Sequence, residues 1–280
     1  MNNARKRRSI SHLGLVATLG ASLGVGVTTP LPAETIGSIQ FMESYSGHHP
    51  TEFADLLAEA KVVVPGALAY ITGQWGLSTT LHQPLLVTVT DVASKDPYRA
   101  MAAYVRAVTS GDQLRQVLVI DLEHHLLYPT EHLDDIIYHE MAHAVLRDAV
   151  MNPRAAPIPT WFNEGLAQSV TTEGTSRTQE DFKRWGHSDA RAVICDLNGS
   201  VDEFLHGEQN FGCYTYFYLS TKRLIQLGGK DTIPRVIDGL SHGMALPDII
   251  RQLTSLDWPA FQHDAEHYAL DVFAGNQPIP

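Results

Sequence analysis

Two histidines and a glutamate, His139, Glu140 and His143, form an H-E-x-x-H pattern in the middle of the chain. Residues four positions apart lie on one face of a helix, so both imidazoles could reach one metal ion. Glu140 would stand beside that ion, where a carboxylate can accept a proton from a water molecule. The chain has 14 histidines, so a buried helix with incidental histidines would also produce the pattern. A further ligand is needed to decide between these interpretations.

A second motif, W-F-N-E-G-L-A at residues 161–167, supplies a candidate for that ligand. Two histidines leave a tetrahedral site one protein ligand short, and Glu164 lies 21 residues beyond His143. We expect Glu164 in the first turn of a helix that returns toward the first motif after a proline-stiffened loop. Gly165, which has no side chain, would let the two helices approach closely. Alone, Glu164 would be interpreted as a carboxylate that stabilises its own helix dipole, but after H-E-x-x-H we predict a metal ligand.

Together the two motifs resemble those of the gluzincin zinc metallopeptidases, closest to the peptidase MA-like family, over about residues 53–270. The motifs are specific, whereas the flanking similarity is one of pattern only. The resemblance implies that His139, His143 and Glu164 bind one Zn²⁺ ion per chain and that Glu140 is the general base. It also implies zinc-dependent hydrolysis of a peptide or protein substrate. We expect an endopeptidase, because the chain lacks the G-x-M-E-N segment by which aminopeptidases of this group bind a free amino terminus.

Family members often carry a tyrosine on a later helix that stabilises the oxyanion of the reaction. Tyr214 matches that position best, and Tyr216 and Tyr218 are close competitors. A stripe of aromatic core residues is the alternative interpretation of all three. Asp148 and Glu173 are candidates for the carboxylates that orient the ligating histidines.

Two other functions remain open at this stage. A non-catalytic binding or interaction domain with a zincin-like fold would keep the metal ligands, although it would not need Glu140. An amide hydrolase that acts on a non-peptide substrate, such as a cell-wall component, would use the same residues.

The elements that must position these residues follow from the spacing of apolar side chains. Residues 98–108 are ambiguous, and residues 34–52 are predicted to form an irregular loop. Residues 174–191 are polar and are predicted to form a surface loop, and residues 277–280 a loose tail. Strands are predicted for residues 85–89 and 117–122, and helices for residues 53–75, 133–147, 160–170, 214–227, 233–240, 246–253 and 258–270.

This order of elements predicts an α+β fold, a zincin-like catalytic domain of the thermolysin type over residues 34–280. Its α/β part, with a small N-terminal sheet, would span about residues 53–150. Its helical C-terminal subdomain would span about residues 151–270. We expect residues 117–122 to be the edge strand that pairs with an extended peptide substrate.

Residues 1–33 predict a secretory signal peptide, because a basic start precedes an apolar run and then small residues. The run of 15 residues from 13 to 27 is short of the ~20 that cross a bilayer, although a permanent anchor helix is the alternative. We therefore expect an exported protein, periplasmic or extracellular, without stable membrane insertion after cleavage. Cleavage would change the formal net charge from −11 to −15, which disfavours nucleic acid as a partner. The oligomeric state cannot be deduced.

The chain has only two cysteines, Cys195 and Cys213. An oxidising compartment would favour a disulfide between them. Two buried free thiols are the alternative.

Overall fold

A computed structural model describes residues 34–45, 47–91, 102–110, 113–128, 132–172, 175–176, 178–180, 183, 194–199 and 210–280. The predicted signal peptide and most of the predicted surface loop at 174–191 lie outside these residues. The described residues form an α+β fold with a small sheet and several helices. The strands are β1 (Glu34–Ile36), β2 (Ile39–Ser44), β3 (Leu85–Thr90), β4 (Ala103–Ser110) and β5 (Gln113–Asp121). The helices are α1 (Pro50–Trp75), α2 (Leu122–Leu127), α3 (Leu133–Ala149), α4 (Thr160–Ser169), α5 (Asn210–Gly228), α6 (Thr232–Ser241), α7 (Leu246–Thr254) and α8 (Trp258–Phe273).

The five strands form one mixed sheet in the order β1-β2-β3-β5-β4. β2, β3 and β5 run parallel, and the outer strands β1 and β4 are antiparallel to their neighbours. The prediction that residues 117–122 form the edge strand is therefore wrong, because β5 lies between β3 and β4. The outer strand on that side is β4, which covers much of the stretch that the sequence left ambiguous. Strand order depends on pairing between distant segments, which the periodicity of one segment does not reveal.

The prediction of an irregular loop at residues 34–52 is also wrong. This stretch contains β1 and β2, and α1 begins at its end. Ile39 and Phe41 of β2 are buried in the core, with β2 paired in register to β3 from Ile39↔Leu85 to Ser44↔Thr90. A strand of three residues followed by one of six is too short to show a clear period of two.

Helix α1 connects β2 to β3 and buries its apolar face in the core. Pro65 lies inside α1 without dividing it, although the sequence suggested a break there. Among the described residues, α1 is the one helix that is long and apolar enough to cross a membrane. Core helices share that length and composition, so this observation does not by itself indicate membrane insertion.

The helical half confirms the predicted helices at residues 160–170, 214–227, 233–240, 246–253 and 258–270 to within a few residues. The predicted disulfide is confirmed, because Cys195 and Cys213 are bonded with their Cα atoms 5.5 Å apart. The tail is not loose as predicted. The Tyr218 hydroxyl donates a hydrogen bond to the carbonyl of Pro280 over 2.5 Å, and Ile279 packs against the core.

Candidate metal centre

Helix α3 places the first motif. Its first turn carries Asp134 and Asp135 and its last turn Arg147, charges that suit the two ends of a helix dipole. Ile137 and Met141 are fully buried, so the helix is fixed against the rest of the core. The opposite side carries the two histidines of the motif, whose ring centroids lie 4.8 Å apart with the planes at 84°.

Helix α4 brings Glu164 to these histidines, and Gly165 fixes the position of α4. A Cβ atom on Gly165 would overlap the backbone carbonyl of Phe217 and the hydroxyl of Thr221, both on α5. The sequence predicted that Gly165 allows α4 to approach α3. The structure instead places its close approach against α5, and Glu164 reaches toward α3 from the same turn.

Three side chains converge to form the candidate site. The Glu164 Oε2 atom lies 3.5 Å from His139 Nε2 and 3.6 Å from His143 Nε2. One potential ligand atom from each residue lies within 4.8 Å of the others, a group that could hold a metal ion. The side chains are only 13%, 10% and 16% exposed for His139, His143 and Glu164, so the site lies in a mostly enclosed position that one side still reaches. Among the described residues, this is the one group of three or more such side chains.

The charge of Glu164 is adapted to this position. Burial alone would raise the pKa of its carboxyl group. The charges of His143 and His139, and hydrogen bonds from both rings, outweigh burial and hold the pKa of Glu164 well below its usual range. A carboxylate at this point is therefore ionised over the whole ordinary pH range, as a metal ligand must be.

Glu140 lies beside the group without joining it. It is 5% exposed, and its Oε2 atom accepts a hydrogen bond of 2.8 Å from the backbone N–H of Val105 on β4. Burial raises the pKa of Glu140, while the charges of His143 and His139 and the Val105 N–H oppose that shift. The arrangement gives a carboxylate that is held in place and has an increased affinity for a proton.

Asn163 orients one ligand, which the sequence analysis missed. His143 Nδ1 donates to Asn163 Oδ1 over 3.0 Å, so Nε2 of the neutral ring carries the free lone pair that faces Glu164 and His139. Only the adjacency of Asn163 to Glu164 in the second motif hinted at this role.

The two carboxylates suggested for this role do not fill it. Asp148 is buried but accepts hydrogen bonds from the backbone N–H groups of His82 and Gln83 at 2.8 and 3.2 Å, which attaches the segment before β3 to α3. The proposed role of Asp148 as a histidine partner is therefore wrong. Glu173 lies outside the described residues.

The three candidate tyrosines are separated by their places on α5. Tyr214 lies one turn before Phe217, and Tyr214, Phe217 and Thr221 share the helix face that packs on α4. Tyr216 is buried on another side, and burial raises its pKa to about 12. Tyr218 is buried too, and its hydroxyl is engaged with Pro280. The role of Tyr214 stays a prediction, and its two competitors are built into the core.

Comparisons with protein-family models, curated proteins and solved structures found no match for this chain. The function of the site must therefore be deduced from its own residues.

Proposed function

We propose that this protein is a zinc metallopeptidase with a zincin-like fold of the gluzincin type. The observation that carries the proposal is the convergence of the His139, His143 and Glu164 ligand atoms, with a buried carboxylate, Glu140, directly beside them. A purely structural site would need the three ligands, but it would not need the fourth group.

The three ligands suit zinc in type and in spacing. Imidazole nitrogens with one carboxylate are a known ligand set of catalytic zinc sites, which keep one position open for water or substrate. Ligand atoms at tetrahedral angles and about 2.0–2.1 Å from zinc stand roughly 3.4 Å apart. The separations of 3.5 and 3.6 Å between Glu164 Oε2 and the two Nε2 atoms match that value. When bound, Zn²⁺ supplies a Lewis acid that polarises a carbonyl group and acidifies a water molecule.

The residues of the chain would divide the remaining work. Glu140 takes a proton from the attacking water and returns it to the departing amine, a task helped by a raised pKa. The Val105 N–H fixes its Oε2 atom during both transfers. Asn163 fixes the His143 ring, and Tyr214 is the candidate donor to the oxyanion.

The substrate of this proposal is a peptide or protein. β4 is the outer strand next to Glu140, and the Val105 N–H on that strand points toward the site. An extended peptide can pair with such a strand, which would carry its backbone past the metal centre. The proposal keeps the secretory signal at residues 1–33 and hence an exported protein. The acidic net charge supports the expectation that nucleic acid is not a partner.

The test is a digest of a peptide library by the purified protein, followed by mass spectrometry. We expect cleavage that a chelator abolishes and that added Zn²⁺ restores. Internal cleavage sites would support an endopeptidase, and products trimmed from one end would contradict that part of the proposal.

Glu140→Gln is the matched control, because it preserves shape and removes the base. If the wild-type protein and Glu140→Gln are both inactive on peptides although both bind zinc, peptide hydrolysis is excluded. Release of amide-linked fragments from cell-wall material by wild type alone would then identify a non-peptide amide hydrolase. The absence of both activities would leave a non-catalytic binding domain.

A further inference from the structure

A second pair of histidines, His263 and His267, lies on α8 at the same spacing as the pair in the candidate site. We propose that this pair is a separate surface site for a late first-row divalent metal ion, with Cu²⁺ preferred. Both side chains are exposed, and their ring centroids lie 4.3 Å apart with the planes at 79°.

The ring geometry is that of a chelate. A metal ion about 2.0–2.1 Å from a ring nitrogen is roughly 3.2 Å from the ring centroid, and two rings at a right angle about such an ion have centroids roughly 4.5 Å apart. The measured 4.3 Å is close to this value. The pair on α3, which the Glu164 carboxylate completes, has 4.8 Å and a similar angle between planes. Binding therefore requires only small rotations of the two side chains.

The helix under the pair is fixed before any ion arrives. Asp257 caps it, because its side chain accepts a hydrogen bond of 2.9 Å from the N–H of Ala260. Phe261 and Ala265 on the opposite face are fully buried. Two ligands on a rigid helix lose little conformational entropy on binding, so even a two-ligand site gains affinity from preorganisation.

The surroundings decide how many protein ligands the site has. Asp264 lies next to His263 in the chain, but its carboxylate holds Arg223 with hydrogen bonds of 2.6 and 2.9 Å. Within the described ranges, no third histidine or carboxylate joins the pair closely enough to complete a three-residue group. The site is therefore two imidazoles plus water, open to solvent.

This composition selects the metal. Imidazole suits copper, nickel and zinc, and the affinities of such sites rise to a maximum at Cu²⁺. Cu²⁺ also accepts a tetragonal arrangement of nitrogen and oxygen ligands, which two cis imidazoles and water can supply without a further protein ligand. The inference does not depend on the proposed peptidase activity, because it involves none of the same residues.

The experiment is a copper titration of the purified protein, first loaded with one equivalent of Zn²⁺. Binding is followed by calorimetry and by the nitrogen splittings of the Cu²⁺ electron paramagnetic resonance spectrum. We expect one Cu²⁺ site with two imidazole nitrogens. His263→Ala and His267→Ala should each weaken it by at least about tenfold and remove one nitrogen coupling.

Two control variants make the outcome specific. His242→Ala removes an exposed histidine from the end of α6 that has no partner histidine four residues away, and it should leave copper binding unchanged. His139→Ala with His143→Ala disables the buried site, and the copper site on α8 should persist. The inference is overturned if His263→Ala and His267→Ala bind copper as tightly as the wild-type protein, or if the wild-type protein shows no such site.

Discussion

The molecule contains two histidine pairs at the same spacing, one on α3 and one on α8, and their surroundings differ completely. The rings meet at nearly the same angle, 84° and 79°. The α3 pair is enclosed and receives Glu164 from a second helix and Glu140 at its side. The α8 pair faces solvent with no third ligand among the described residues. Two histidines one turn apart are thus a local feature of a helix, and a reaction centre requires neighbours that other segments bring.

Removal of a ligand from the α3 site should have the largest effect. Glu164→Ala, His139→Ala or His143→Ala leaves two protein ligands, the number that the α8 pair has. Zinc content after dialysis should fall from about one per chain to near zero, and hydrolysis should fall with it. Atomic emission measures the zinc. Full zinc occupancy in Glu164→Ala would contradict its role as a ligand.

Removal of the base should separate metal binding from chemistry. Glu140→Gln should keep about one zinc per chain, because Glu140 lies outside the ligand group. Its turnover should fall by about 10²–10⁴-fold, the usual effect of losing a general acid–base. Turnover is measured on a peptide that the library digest identifies. His263→Ala with His267→Ala should keep full turnover in the same assay, and a comparable loss in that variant would contradict the division between the two pairs.

Asn163→Ala should have an intermediate effect on the α3 site. Without the Oδ1 acceptor, the His143 ring loses the hydrogen bond that sets its tautomer and orientation. Zinc affinity should fall by about 10–100-fold, measured by competition with a chromophoric chelator. Asn152→Ala is the control, because the Asn152 side chain only accepts a local hydrogen bond from the N–H of Arg154. Equal zinc affinity in both variants would exclude an orienting role.

Gly165→Ala should have the smallest effect on the site and a clear effect on stability. The added methyl group must displace α4 from α5, an overpacking that costs about 1–3 kcal/mol in the free energy of unfolding. Gly73→Ala in α1 is the matched control, because its added methyl group meets no atom within 4 Å. That control should be neutral or stabilising by about 0.5–1 kcal/mol. Urea denaturation measures both, and equal stability of the two variants would refute the close contact.

The sequence predicted the helices well and the sheet poorly, for a physical reason. Helices such as α3 and α8 repeat their apolar side chains over several turns, so their periodicity is visible in one segment. β1 and β2 are short, and their pairing with β3 comes from a region 40 or more residues away. The position of β5 inside the sheet follows from β4 covering it, which no property of residues 117–122 reveals.

The sequence by itself determined the types of the site residues and the spacing of two histidines, because a regular helix converts a four-residue interval into one face. It also indicated Glu164, through the motif that follows. Only the tertiary structure decided that Asn163 rather than Asp148 contacts His143, that Gly165 serves the contact with α5, and that Val105 of β4 holds Glu140. Those contacts join segments separated by tens of residues, and their partners are selected by packing rather than by any local period.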